Sequence, residues 1–297
     1  MKGRYDNVAT SFERHRALPA GVPGAIRSAV LCAANAPSPR PRILDLGAGT
    51  GRIGRAFVAA GDDYVAVDLS LGMLREFSRR TAADACPPLL VQADGQCLPF
   101  PAASFDGVLL MQVIGAARDW RALIAEARRV LRPAGALILG HAVAPADGVD
   151  ARMKQQLAVL LGEMGAPSYH MHTRTVAQPW LDETAQTSNR VVAAEWGTQR
   201  TPRAFLERQR TGARFSALPE SIKSAALDRL GQWAEATFGS RDAVFSEQHA
   251  FELQVYRFAP NTRLNRNRAG PFANYGPNTP DSRARRANSA SRSSPPA

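Results

Sequence analysis

The glycine-rich stretch ILDLGAGTGRIG, from Ile43 to Gly54, carries two overlapping patterns that predict different ligands. One is Gly47-x-Gly49-x-Gly51, and the other, Gly49-x-Gly51-x-x-Gly54, matches the dinucleotide-binding fingerprint. Glycines between a strand and a helix let a ligand approach the backbone, because no side chain obstructs it. The dinucleotide fingerprint needs its first glycine at the strand end and its third where the helix packs on the sheet. The position of the strand end therefore decides between the two patterns.

The first pattern agrees better with a strand. In the second, the strand would run through LDLGA and contain Gly47, and an interior glycine weakens a strand. In the first, the strand ends at Leu46, the glycines form the turn, and Asp45 lies one residue before the strand end. A carboxylate at this position suits a ligand with a cationic ammonium group better than a pyrophosphate. The match at Gly54 is then interpreted as accidental.

Two further acidic residues follow the next predicted strands. Asp68 lies 21 residues after Gly47, where a carboxylate accepts hydrogen bonds from ribose hydroxyls. Asp94, with Gly95 after it, offers a carboxylate for an adenine amino group and a backbone N–H for a ring nitrogen. Dinucleotide enzymes do not commonly require an acid at this third position. The series therefore favours an adenosine-containing ligand that is not a dinucleotide.

The elements that must position these residues alternate between short apolar runs and helical periodicity, which is typical of a parallel sheet built from βαβ units. Ser70 and Asp119 are the expected N-caps of two of the helices. Met111 and Gln112 end the fourth strand, at the edge where ligands of open α/β sheets bind. Strands are predicted near 42–47, 64–68, 88–92, 105–111 and 135–141, and helices near 51–60, 71–82 and 120–131.

The flanking regions have a different pattern. Residues 10–36 are predicted to form helices before the first strand. After residue 147 longer helical stretches are predicted near 148–164, 202–211 and 219–238, together with strands near 190–196 and 250–258. These two strands bring the predicted sheet to seven.

Composition and charge restrict the class of protein. The chain has 297 residues, 45% of them hydrophobic, and no run approaches the roughly 18 apolar residues of a spanning helix. A cytoplasmic, globular protein is expected. Of the net charge of +11, +6 comes from residues 260–297, which we expect to be a disordered Arg/Ser/Pro-rich tail. Basic tails bind nucleic acid by charge alone, but solubility is a commoner role, so nucleic acid is not the expected partner.

The motifs DLGAGTG, DLSLGML, ADGQCLPF and SFDGVLLMQVI, followed by ALIAEARRVLRPAGALIL, occur in this order over residues 38–142. The series resembles the class I S-adenosylmethionine-dependent methyltransferases, and most of all the group that includes the ubiquinone and menaquinone C-methyltransferases. The resemblance implies a Rossmann-like seven-stranded sheet that is mostly parallel, has an antiparallel last strand and carries helices on both faces.

The resemblance also implies S-adenosylmethionine as the cofactor. One departure from the family pattern concerns the acceptor, because Gly115 and Ala116 stand where many relatives have a polar pair. A Tyr-Asp pair before the first strand commonly closes over the donor in this family, so the resemblance makes Tyr5-Asp6 a candidate lid pair. The cofactor-binding positions implied are Asp45, Gly47, Ala48, Gly49, Asp68, Leu69, Asp94, Gly95 and Met111.

No catalytic residue is predicted. Methyl transfer by in-line displacement needs a general base only if the acceptor must lose a proton. Of the histidines His15, His141, His170, His172 and His249, His141 at the end of the fifth strand is the best placed. No metal site is predicted from the histidines or from Cys32, Cys86 and Cys97, because no ligand spacing is recognisable.

The predicted domains are an N-terminal helical arm (1–37), a methyltransferase domain (38–259) and the tail. Within the domain, a helical insertion after the fifth strand, about 147–240, is predicted to cover a small-molecule acceptor, with Trp180, Trp196, Phe205, Phe215, Trp233 and Phe238 as its aromatic residues. The predicted function is methyl transfer to a small organic acceptor. The alternatives are an enzyme acting on RNA or protein recruited by the tail, a nicotinamide-dependent oxidoreductase, and an inactive donor-binding module. The oligomeric state is not predicted.

Overall fold

The computed structural model describes residues 17–35, 38–84, 87–166, 172–210, 215 and 218–259. The predictions for Tyr5, Asp6, His15, Cys86, His170 and the tail beyond residue 259 lie outside these residues. The strands are β1 Ile43–Leu46, β2 Tyr64–Asp68, β3 Leu89–Gln92, β4 Phe105–Met111, β5 Leu131–Val143, β6 Thr187–Arg200 and β7 Phe245–Arg257. The helices are α1 Val22–Ala34, α2 Gly54–Ala59, α3 Leu71–Arg80, α4 Trp120–Val130, α5 Val149–Glu163, α6 His172–Thr184, α7 Pro202–Arg210 and α8 Glu220–Phe238.

The seven strands form one sheet in the order β3-β2-β1-β4-β5-β7-β6. The first five strands are parallel, and β7 is antiparallel to both of its neighbours, so the predicted fold class is confirmed. The chain moves from β1 to β2 and β3 on one side, then returns to place β4 on the other side of β1. The reversal creates a crevice between the carboxyl ends of β1 and β4, which is where ligands of open α/β sheets bind.

Each face of the sheet buries its own apolar cluster. On one face α4 buries a stripe at helical spacing that includes Leu123, Ile124 and Ala127, and α6 packs into the same cluster. On the opposite face α1 and α2 pack with Ile26 and Phe57 fully buried. Arg27 on α1 also binds Asp62 through two hydrogen bonds of 2.5 and 2.7 Å. Helix α1 is therefore part of the helical layer that covers this face of the sheet, although it precedes the first strand.

Two helices differ from the sequence-based prediction. Helix α2 begins at Gly54 instead of near residue 51, because the positive φ of Gly51 places the chain outside helical geometry until after the turn. Helix α6 was not predicted, since its sequence contains three threonines and an internal Pro179. Burial of Ala177 and Leu181 against the α4 face outweighs the low helix propensity of this segment.

Three of the later helices, α5, α7 and α8, share a third apolar cluster of their own, which we call the three-helix unit. It is built around Met153, Phe205 and Leu230. The unit joins the sheet where β7 and β6 extend past the end of β5: Val143 of β5 pairs with Ala250, while residues 245–249 of β7 pair with residues 196–200 of β6. The three-helix unit therefore lies toward the end of the sheet at which the parallel strands finish, which is also where the glycine turn follows β1.

The residues predicted to be an insertion, 147–240, thus divide into two groups. Helices α5, α7 and α8 form the three-helix unit, whereas α6 and β6 belong to the sheet and its layers. Within the part of the chain that the structure describes, no helix combines the length and the apolar character needed to cross a membrane.

Candidate functional site

The glycine turn follows β1 directly, as the first glycine pattern predicts. Gly47, Gly49 and Gly51 have φ angles of +77°, +58° and +75°, which L side chains rarely adopt. The backbone N–H groups of Gly47 and Ala48 donate to the carbonyl of Val67 at 2.8 and 3.1 Å, so the turn is fastened to β2. The strand ends before Gly47, and this excludes the register that the dinucleotide fingerprint requires.

Packing nevertheless requires a glycine at position 54, so the interpretation of Gly54 as an accidental match was wrong. A Cβ atom at Gly54 would lie 2.3 Å from the Tyr64 hydroxyl oxygen and 2.8 Å from the Phe77 ring. Helix α2 can lie this close to the first residue of β2 only because Gly54 has no side chain. The glycine therefore serves helix–sheet packing, although the turn follows the other pattern.

Asp45 lies beneath the turn and is almost fully buried. Its Oδ2 accepts a hydrogen bond of 2.5 Å from the Tyr64 hydroxyl. Its Oδ1 is also buried and has no hydrogen-bond partner among the described atoms. Burial raises the pKa of Asp45 to about 7; the Tyr64 hydrogen bond opposes the rise, and the negative charge of Asp68 adds to it. The carboxylate is thus prepared for a cationic or hydrogen-bonding partner that the described residues do not supply.

The raised pKa predicts how stability depends on pH. Between about pH 4 and pH 7 the folded chain keeps a proton on Asp45 that the unfolded chain releases, so this group's contribution to stability falls as pH rises through that window. Asp45→Asn removes the titration. We expect the unfolding free energy of the native chain, relative to that of Asp45→Asn, to fall by on the order of 4 kcal/mol from about pH 4 to pH 7. Urea denaturation of both proteins across this range measures the difference, and a difference independent of pH would contradict the assignment.

Asp68 ends β2 and is half-buried beside the turn. One carboxylate oxygen accepts the Gly49 N–H and the other accepts the Ser70 N–H, each at 2.8 Å. Ser70 caps α3 by accepting the Met73 N–H, as predicted. Leu69, which lies between Asp68 and Ser70 in the chain, is 41% exposed and so presents an apolar surface to solvent beside Asp68.

Asp94 follows β3, and the loop that carries it is held at both ends. The Ala93 N–H donates to the Asp68 carbonyl at 3.2 Å, so the ends of β2 and β3 lie side by side. Further along, Glu126 on α4 accepts the Leu98 N–H at 2.8 Å, and Arg129 pairs with Glu126 and lowers the pKa of that carboxyl. The Asp94 carboxylate itself accepts the Gln96 N–H at 2.9 Å. The loop is therefore held in place by hydrogen bonds within the protein.

Gly95 lies against α4, since a Cβ atom there would be 2.7 Å from the Leu123 side chain. At the end of β4, the side chain of Met111 belongs to the core and extends over Gly140, where a Cβ atom would be 2.2 Å from its sulfur. The next residue, Gln112, is exposed. A Cβ atom at Gly47 would be 2.4 Å from the Val113 side chain, so the segment after β4 packs directly on the glycine turn.

Several contributors were missed by the sequence analysis. Tyr64 is the hydrogen-bond partner of Asp45, Val113 covers Gly47, and Thr50 is a buried polar residue inside the turn. The register of β1 and β2, which pairs Ile43 with Tyr64, brings Tyr64 close to Asp45, but this register follows only from the assembled sheet.

Comparison with known proteins agrees with this geometry. Residues 44–139 match the family model of a methyltransferase domain. The chain is 38% identical over 151 residues to the demethylmenaquinone methyltransferase of Parafrankia sp. strain EAN1pec, covering 45% of this chain and 59% of that enzyme. It is 31% identical over 195 residues to the enzyme of the same name from Clavibacter sepedonicus, covering 63% of this chain and 79% of that protein. The chain belongs to the class I S-adenosylmethionine-dependent methyltransferases.

The fold of this methyltransferase is shared with the YcgJ protein of Bacillus subtilis. The two chains align with a TM-score of 0.52 and 20% sequence identity, over 78% of this chain and 98% of the other. The chain spans between about three fifths and four fifths of the lengths of the two demethylmenaquinone methyltransferases. The donor of this family is S-adenosylmethionine.

The residues of the methyltransferase fit this donor. The orphaned Oδ1 of Asp45 is a buried acceptor in need of a partner. A Cβ atom built at Gly49 meets nothing within 4 Å, so the turn is open on the side where a ligand would approach. The Asp68 carboxylate binds the Gly49 N–H at that opening, and the segment that carries Asp94 leaves β3 directly beside the end of β2.

The aromatic residues of the 147–240 region lie mostly within apolar clusters of the methyltransferase. Trp180 packs edge-on against Trp120, with ring centroids 5.4 Å apart, and Trp196 lies 5.9 Å from the His249 ring. Phe205 and Phe215 are buried in the three-helix unit, where Trp233 and Phe238 are also in contact. Their first role is to hold these elements together.

Proposed function

We propose that this chain transfers a methyl group from S-adenosylmethionine to a small organic acceptor by in-line displacement. The observation that carries the proposal is the placement of three carboxylates, Asp45, Asp68 and Asp94, at the ends of three adjacent parallel strands beside the glycine turn. In this assignment Asp45 faces the ammonium group of the donor, Asp68 binds the ribose hydroxyls, and Asp94 with Gly95 binds the adenine. Gly47, Ala48 and Gly49 supply the open backbone, and Leu69 an apolar contact.

When bound, the donor supplies an electrophilic methyl group on a sulfonium. The residues of this chain contribute orientation, which can be worth on the order of 10⁵ M in effective concentration for well-aligned groups. They need no general base unless the acceptor must lose a proton. His141, the best-placed histidine, lies 3.9 Å from Glu252 across the β5–β7 pair, and Arg190 binds the other oxygen of that carboxylate. We therefore assign no catalytic role to His141.

For the acceptor, we propose a small molecule covered by the three-helix unit. The unit lies on the part of β6 and β7 that extends beyond β5. This is the end of the sheet at which the parallel strands finish and the glycine turn follows β1. Polar contacts with both strands fix it there: the buried Glu247 of β7 accepts the Val149 N–H at 2.7 Å, and Arg200 of β6 lies 3.9 Å from Asp150 of α5. Because relatives are named for demethylmenaquinone, a quinone of that kind is the first acceptor class to test.

Calorimetry on the purified chain tests the donor. We expect micromolar-scale binding of S-adenosylmethionine, and NAD bound far more weakly, because the strand register places Asp45 and not a pyrophosphate cradle at the turn. Transfer of a labelled methyl group, with the product's mass measured, then tests the acceptor class. Tighter binding of NAD would overturn the donor assignment. Methylation of RNA or protein in place of small molecules would overturn the acceptor assignment alone.

A further inference from the structure

A side-chain contact spans the crevice between the ends of β1 and β4. The guanidinium of Arg52, on the glycine turn, donates a hydrogen bond through Nη2 to Oε1 of Gln112, which directly follows β4. The two residues are 60 positions apart in the chain, so only the fold brings them together. The contact lies at the reversal of strand order, the place where ligands of open α/β sheets bind.

The backbone holds Gln112 in this position. Its φ of +60° is in the left-handed region, which is uncommon for a residue other than glycine and persists only where the surrounding structure enforces it. Its N–H donates to the Gly140 carbonyl at 2.9 Å, and the following Val113 packs on Gly47. Gln112 is thus fixed to β5 on one side and to the glycine turn on the other, with its side chain directed to Arg52.

The charges of the donor site leave one group of the donor without a partner. Asp45, Asp68 and Asp94 suit an ammonium group, hydroxyls and an amino group, and they repel a carboxylate. The methionine part of the donor carries a carboxylate as well as an ammonium group. Between Gly47 and Gly54 the sequence has a single cationic residue, Arg52. A guanidinium binds a carboxylate through two parallel hydrogen bonds, and such bonds are stronger than those to a neutral amide.

We propose that Arg52 binds the carboxylate of the donor's methionine part, and that Gln112 is a positioning residue that holds the guanidinium over the crevice. The inference rests on the proposed donor. It assigns the two residues a role in distinguishing the intact donor from forms that lack the carboxylate.

The test compares S-adenosylmethionine with decarboxylated S-adenosylmethionine, which differs from it by the carboxylate alone. Binding to the full chain is measured by calorimetry for the native protein, Arg52→Gln and Gln112→Glu. The native chain should prefer the intact donor by about tenfold or more, the range expected for a hydrogen-bonded charge. Arg52→Gln should lose that preference and still bind the decarboxylated form within about twofold of native, which also shows that the variant is folded.

Gln112→Glu separates positioning from general structural damage. The new carboxylate would hold Arg52 as an ion pair and repel the donor carboxylate, so affinity for the intact donor should fall about tenfold while the decarboxylated form is unaffected. A preference unchanged in Arg52→Gln, or an equal loss of both ligands in Gln112→Glu, would overturn the inference. If the native chain binds neither ligand, the proposed function fails first. If it binds both equally, the donor assignment stands and this inference alone is wrong.

Discussion

Replacing Asp68 with alanine is expected to weaken S-adenosylmethionine binding by about 10- to 150-fold. The range corresponds to about 1.5–3 kcal/mol for losing a hydrogen bond to a charged group. The carboxylate has a second task, because it accepts the N–H groups of Gly49 and Ser70 at 2.8 Å. Its removal therefore takes away the proposed ribose acceptor and also the group that fastens the glycine turn to the end of β2.

Calorimetry with the purified variants measures this effect. Asp68→Asn keeps the size and one acceptor oxygen, so its loss should be smaller than that of alanine. Asp63→Ala is the matched control, since it removes a half-exposed carboxylate just before the opposite end of the same strand, where it pairs with Arg42 at 3.5 Å. Its donor affinity should stay within about twofold of native. Equal affinities for Asp68→Ala and Asp63→Ala would show that Asp68 does not bind the donor.

Replacing Gly51 with alanine should lower the unfolding free energy by about 2–5 kcal/mol. Two costs combine. The φ of +75° at Gly51 is unfavourable for an L residue by roughly 1–2 kcal/mol. The new Cβ atom would also lie 2.4 Å from the fully buried Phe77 ring, and forcing extra volume into a packed core costs about 1–3 kcal/mol.

Gly61→Ala is the control that separates the two costs. Gly61 has nearly the same φ, +73°, but a Cβ atom there meets nothing within 4 Å. The unfolding free energy of Gly61→Ala should fall only by the conformational cost, roughly 1–2 kcal/mol. Chemical denaturation of the two variants under identical conditions gives the comparison. If Gly61→Ala is as destabilising as Gly51→Ala, the Phe77 ring does not limit the turn.

The order of the elements and the ends of the strands were predictable because their signals are local. The alternation of apolar runs with helical periodicity predicts β1 to β5 to within a few residues at most boundaries. Asp119 accepts the N–H groups of Arg121 and Ala122, which is the cap that its position predicts. The glycine frame was also decided locally, since a strand that ends at Leu46 leaves Gly47 in the turn.

Helix boundaries and long-range contacts were harder to predict from the sequence. Helix α6 forms because Ala177 and Leu181 are buried against the sheet layer, and no property of its threonine- and proline-containing segment signals this. Gly54 was misinterpreted for the same reason, because the Tyr64 hydroxyl that excludes a side chain there belongs to another strand. The arm, insertion and tail boundaries remain predictions.

The sequence by itself determined which residue types stand at the ends of β1, β2 and β3, because each follows its own strand within a few positions. Only the tertiary structure decided what surrounds them. Asp45 acquires its raised pKa from burial beside Tyr64, and Arg52 meets Gln112 only because β4 returns to the far side of β1. Periodicity, capping and turn preference act over a few residues, whereas burial and charge at the site depend on contacts between segments tens of residues apart, which the chain creates only by folding.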